Sequence, residues 1–128
     1  HKMKEVMAVL RVERMNKTKK ALSEAGITSM TAYEALGRGK GTVDFKALQG
    51  AQEGYQEAIE SLGAGHRLRP KRLISIVVPD KLVKKTIDTI IKVNQTGKAG
   101  DGKIFVLPTF DAVRVRTNEN GDSILDEE

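Results

Sequence analysis

Thr96-Gly97-Lys98-Ala99-Gly100-Asp101-Gly102-Lys103-Ile104-Phe105 is the stretch on which the fold of this 128-residue chain turns. A helical pattern precedes it and an apolar strand pattern follows. Its three glycines let consecutive backbone N–H groups face one concavity, and two lysines add positive charge, an arrangement suited to a polyanion such as a nucleotide triphosphate. Gly97, four residues and then Gly102-Lys103 also mimic the spacing of a Walker A phosphate loop. That motif, however, requires a strand before it, a helix after it and a Ser or Thr behind the lysine. Here Ile104 follows the lysine and a strand comes next. The helix dipole points the wrong way, and any phosphate cradle is completed by other parts of the chain. An ordinary solvated turn is the alternative reading of the same residues.

Upstream, Pro79-Asp80 opens a helix, with Asp80 as the expected cap. Leu82, Val83, Ile87, Ile90 and Ile91 form its apolar stripe, and Lys81, Lys84, Lys85 and Lys92 stay in solvent. Before it, the β-branched run Leu73-Ile74-Ser75-Ile76-Val77-Val78 suits a central strand. Downstream, Ile104–Leu107 and Ala112–Arg116 read as a strand pair around Pro108-Thr109, which puts Arg114 and Arg116 on one side. Nearer the N-terminus, Glu5–Val12 reads as a largely buried strand and Asn16 as the cap of a helix that Gly26 stops. Met30–Leu36 is a further strand. From Gly37 to Pro70 the pattern breaks, with seven glycines. A loop this long in a compact domain is functional or disordered. We expect it to move until a ligand or partner holds it, with Tyr55, Ala58, Ile59 and Leu62 at helical spacing inside it.

The element order predicts an α+β fold, a doubled βαβ of ferredoxin-like type with a long mobile loop between the second and third strands. It further predicts one domain over residues 1–128, a long loop over 37–70 and an acidic C-terminal tail over 117–128. Helices on one sheet face cannot cover the other, which is also partly apolar, so subunits are expected to associate around it.

The net charge of +5 comes from 22 basic and 17 acidic residues, a mixed surface. Arg67, Arg69, Lys71 and Arg72 cluster around Pro70 and could grip phosphate, or simply form a solvated basic face. Five aromatics are too few for a base-stacking platform, so no nucleic acid is expected. Absent cysteine removes disulfides, thiol catalysis and cysteine-ligated metals. No stretch reaches the ~18 apolar residues of a membrane span, and the N-terminus is too charged for a signal peptide; a cytoplasmic protein is expected. Acid–base chemistry has thin support, because His66 sits in the long loop and Asp101 beside a glycine reads as a turn stabiliser. Neither a catalytic residue nor a metal site is expected.

Four ordered motifs carry a resemblance to a known family: Ile76-Val77-Val78-Pro79-Asp80, Asp88-Thr89-Ile90-Ile91, Gln95-Thr96-Gly97-Lys98-Ala99-Gly100-Asp101-Gly102-Lys103-Ile104-Phe105-Val106 and Arg114-Val115-Arg116-Thr117. Together they resemble the PII signal-transduction family, over essentially the entire chain outside the long loop. The resemblance implies a homotrimer with three clefts between subunits that binds ATP or ADP and senses 2-oxoglutarate, and it assigns target binding to the 37–70 loop. By motif it implies that Gly100, Asp101, Gly102 and Lys103 meet the nucleotide phosphates and that Arg114 and Arg116 supply guanidinium forks. Thr31, Gly39, Lys40 and Val77 would line the same cleft. Lys71, Gly41 and Gly100 fall at 2-oxoglutarate positions.

The chain also departs from the family pattern. The loop opens Gly37-Arg38-Gly39-Lys40-Gly41, with Lys40 at a family arginine and Gly41 at a family glutamine that helps hold magnesium and 2-oxoglutarate. Glycine has no side-chain oxygen, which puts the magnesium geometry and the effector response in question. The lengthened loop and Ile91-Lys92-Val93-Asn94-Gln95 look most like the second of two PII paralogues encoded with nitrogenase in archaea and some bacteria. That likeness implies a second PII paralogue and a nitrogenase component as partners.

Overall fold

The computed structural model describes residues 2–38 and 68–125. Strand β1 (Met3–Leu10) leads through a 3-10 turn (Val12–Arg14) into helix α1 (Met15–Glu24), followed by β2 (Thr31–Gly37). After the long loop come β3 (Arg69–Pro79), helix α2 (Asp80–Asn94) and β4 (Lys103–Thr109), and a 3-10 turn at Asp122–Ile124 lies near the end. The four strands form one antiparallel sheet in the order β2-β3-β1-β4, the expected ferredoxin-like arrangement. Residues 39–67, on which the expected loop mobility and the Tyr55–Leu62 pattern fall, lie outside the described residues.

Strand alternation sends one set of side chains to the helices. Val6, Ala8 and Leu10 of β1 and Ile74, Ile76 and Val78 of β3 are buried there against Met15 and Leu22 of α1 and Ile90 of α2. Leu82, Val83 and Ile87 pack beside them as expected, whereas Ile91 stays exposed. The two helices are also joined by polar contacts. The Asn94 side-chain amide donates to Thr18 Oγ1 at 3.0 Å and to the Ile90 carbonyl at 2.8 Å, and Arg14 Nη1 donates to the Val93 carbonyl at 3.2 Å.

Several boundaries differ from the sequence reading, each for a local reason. β1 starts at Met3 and stops at Leu10, because Val12 already belongs to the turn. That turn supplies carbonyls to the incoming helix: Arg14 N–H bonds to the Arg11 carbonyl at 3.2 Å and Met15 N–H to that of Val12. Asn16 is therefore not the cap and lies inside α1. Gly26 ends the helix as expected, at φ 85°. At α2 the cap is Pro79, and Asp80 is the first helical residue, its carboxylate 2.9 Å from Lys4 Nζ. A negative charge there suits the helix dipole.

β3 begins four residues earlier than Leu73 and includes Pro70. Proline is tolerated because β1 ends opposite Arg72, leaving that end of β3 paired with β2 alone. The largest correction concerns Ala112–Arg116, which does not form a strand with Ile104–Leu107. β4 pairs with β1 and continues through Pro108 as an edge strand. Residues 112–121 fold on themselves instead. One Val113–Asn120 bridge forms, Gly121 N–H bonds to the Ala112 carbonyl at 3.1 Å, and Asn118 reverses the chain at φ 61°.

Candidate functional site

The glycine loop gets its shape from one carboxylate. Asp101 accepts hydrogen bonds from Thr96 N–H at 2.7 Å, Thr96 Oγ1 at 2.5 Å and Gly97 N–H at 2.9 Å. Arg11 Nη1, just beyond β1, lies 2.8 Å from the same carboxylate. The Thr96 hydroxyl and N–H, followed by Arg11 and Gly97, hold the Asp101 carboxyl well below the usual carboxylate range. A group so acidic and so fully bonded is a poor general base. Asp101 thus builds the loop from within, as a turn stabiliser does.

Gly102 explains how the loop joins the sheet. It sits at φ 110°, and a Cβ there would lie 2.0 Å from the Val9 carbonyl oxygen, so a side chain would push the loop off β1. The next residue, Lys103, pairs directly with Val9. Lys103 is exposed on the edge strand, and Lys98 and Gly100 are also exposed. The glycine spacing therefore serves a close approach to backbone.

The remaining site residues divide between the β2–β3 half of the sheet and the β4 edge. Thr31 lies on β2 opposite Ser75, and Val77 stands two residues further along β3 on the same face. Lys71 pairs with Ala35, and its Cγ approaches Gly37 so closely that a Cβ there would be 3.2 Å away. On the opposite edge are Lys103 and the glycine loop. Three interstrand steps of about 4.8 Å separate β2 from β4, about 14 Å in all. Gly39, Lys40 and Gly41 lie outside the described residues.

Arg114 and Arg116 belong to the self-folded segment after β4. Arg114 Nη1 is 3.1 Å from Glu119 Oε1, and Arg114 N–H bonds to the Glu119 carbonyl at 2.8 Å. Arg116 is exposed. Arg11 and Glu119 are the residues that sequence reasoning missed. Arg11 was absorbed into an overlong first strand and Glu119 into an acidic tail; a lone cation at the end of an apolar strand is the only sequence signal for the first.

The sheet face away from the helices carries Met7, Val9, Leu73 and Val77, flanked by Tyr33 at 52% and Phe105 at 49% exposure. Ser75 Oγ donates to Glu5 Oε2 at 2.5 Å in its middle. On the helix side, a groove of about 400 Å³ between α2 and β4 is lined by Ile87, Ile90, Ile91, Ile104 and Val106 and reaches the glycine loop at Asp101, Gly102 and Lys103. Among the described residues no three His, Asp or Glu are grouped to hold a metal ion, and no helix is long and apolar enough to cross a membrane.

An antiparallel ferredoxin-like sheet with one open face and a cationic glycine loop on one edge is the fold that the resemblance implied. The family described as Nitrogen regulatory protein P-II matches residues 3–119, and the chain belongs to that family. Among its relatives, Nitrogen fixation nifHD region GlnB-like protein 2 of Methanobacterium ivanovii is 44% identical, covering 96% of this chain and 99% of the relative. The protein of the same description from Methanothermococcus thermolithotrophicus is 46% identical over 94% and 96%. Nitrogen regulatory protein P-II 1 of Escherichia coli K12 is 37% identical over 96% and 100%. A crystal structure of Arabidopsis thaliana PII bound to citrate superposes with a TM-score of 0.70 at 32% identity, covering 95% of this chain and 88% of that one.

Proposed function

We propose that this chain is a non-enzymatic cytoplasmic sensor of nitrogen status. As a homotrimer it binds ATP or ADP in clefts between subunits, and 2-oxoglutarate changes how the long loop engages its target. The target is a nitrogenase component, with a second PII paralogue acting beside it. Relatives described by the nitrogen fixation nifHD region support that choice.

The observation that carries the reading is the division of the candidate residues. Thr31 stands on β2, about 14 Å across the sheet from the β4 edge that carries Gly100, Gly102 and Lys103, and Lys71 and Val77 stand on β3, about 10 Å from it. At the larger separation one phosphate group does not touch both Thr31 and the β4 edge within one copy. Head-to-tail association brings one copy's β2–β3 side to the next copy's β4 edge, completes the cleft and covers the open sheet face. Arg114 and Arg116, on the segment after β4, add forks suited to phosphate. Lys71 supplies a cation for a carboxylate of 2-oxoglutarate, with Gly100 and Gly41 alongside. Gly41 brings no side-chain oxygen, so magnesium has no side-chain ligand at that position.

Subunit mixing tests this arrangement. Lys103→Ala and Val77→Glu each damage every cleft of a pure trimer, but a mixed trimer keeps one intact cleft if the two residues come from neighbouring copies. Calorimetry should show ATP binding restored in the mixture at about one site per trimer, with the effect of 2-oxoglutarate measured in the same titration. No restoration overturns the intersubunit site.

A further inference from the structure

We infer that Arg11 is the positioning residue of the phosphate cradle: its guanidinium ties the glycine loop to β1 and cancels the one negative charge that the loop contains. The inference rests on the nucleotide reading above and adds to it a residue outside every motif that suggested it.

Three contacts define the role. Arg11 Nη1 meets Asp101 at 2.8 Å, and Nη2 donates to the Ala99 carbonyl at 3.2 Å, so one planar fork spans residues 99 to 101. Gly100 lies between, and a Cβ there would stand 3.3 Å from Nη2, so the fork is seated directly against the loop backbone. Through Asp101 the same tie reaches the N–H groups of Thr96 and Gly97. Both charged groups are only about one-fifth exposed. The fork therefore fixes the loop before any ligand arrives, and Lys103 inherits its place from that geometry.

The charge argument is separate. Asp101 stays ionised, and an uncompensated carboxylate beside a polyphosphate would repel each added phosphate charge. Arg11 removes that repulsion. A side chain that merely supported the fold would weaken all adenine nucleotides alike, whereas this one acts in proportion to phosphate charge.

Wild type, Arg11→Ala and Arg11→Lys should be titrated with ATP and with AMP, and hydrogen exchange followed at the Thr96 and Gly97 amides without nucleotide. Arg11→Ala should weaken ATP about tenfold, the loss of one charge-assisted contact, and AMP no more than about threefold. Exchange at Thr96 and Gly97 should rise in the same variant. Arg11→Lys keeps the charge without the fork and should recover most of the ATP affinity but little of the exchange protection. Equal losses for ATP and AMP, or unchanged exchange in Arg11→Ala, would overturn the inference. Wild-type protein that binds neither nucleotide overturns the nucleotide reading and the charge argument together, while exchange still decides whether Arg11 holds the loop.

Discussion

The two faces of one sheet are made by the same strands and end in opposite conditions. On one, Val6, Ala8, Ile74 and Ile76 are sealed from solvent by α1 and α2. On the other, two residues away or fewer, Tyr33 and Phe105 are about half exposed and Met7, Val9 and Val77 partly so. Because side chains alternate with a period of two, neither face is free to change without the other's strands. The covered face is satisfied by the chain's own helices. The open face keeps apolar surface that the described helices leave uncovered, which the proposed assembly would bury. Under the proposed assembly, folding and association draw on different side chains of the same strands.

Four measurements break or sharpen that comparison. The largest effect is expected outside the described residues: deletion of residues 49–64 should abolish regulation of the target while leaving assembly and nucleotide binding nearly unchanged. Pull-down and target-activity assays read this, and full inhibition without the segment would assign the function to the faces instead. Next, Phe105→Asp puts a charge on the open face and should reduce the assembly to monomers by light scattering with little change in helical circular dichroism. Its counterpart, Ile76→Ala, should cost about 2–5 kcal/mol of folding stability in urea, because the site is closed by helices. If Phe105→Asp unfolds the chain as readily as Ile76→Ala, the faces are not separable.

Third, Lys103→Ala and Arg114→Ala should each weaken ATP by about tenfold to a hundredfold, corresponding to roughly 1.5–3 kcal/mol for a charge-assisted contact. Unchanged calorimetric affinity in both would move the site away from the β4 edge. The smallest effect concerns acid. A carboxyl whose pKa is lowered on folding contributes stability above its unfolded value, about 4, and loses it as pH falls further. ATP affinity should therefore be insensitive to Asp101 between pH 8 and 5, and the Gly97 amide should lose protection only below about pH 4. Loss of protection near pH 6 would mean that another group holds the loop.

Much of this was legible in the sequence because periodicity reports burial. The stripe of α2, the β-branched centre of β3 and the stop at Gly26 all follow from short-range chemistry, and the order of elements then leaves few topologies. What misled was equally local. Ala112-Val113-Arg114-Val115-Arg116 has the alternation of a strand, yet β4 already pairs with β1, and Asn118 turns the segment back on itself. Arg69-Pro70-Lys71-Arg72 lacks strand character and is recruited because β2 lies alongside. In the site, the glycines and Lys103 were visible, whereas Arg11 was not. Its role depends on a contact spanning 90 positions, which no window on the sequence contains.

Gly102 has a consequence for how the chain finds its fold. Only a residue without Cβ passes the Val9 carbonyl, where an added carbon would stand at 2.0 Å. If β4 slipped by one residue along β1 in either direction, Asp101 or Lys103 would arrive at that point and collide. The same slip would turn Ile104 outward and Phe105 toward the helices. Gly102 therefore acts as a proofreading notch for strand pairing: a misregistered β1–β4 pair is rejected by sterics at a single atom.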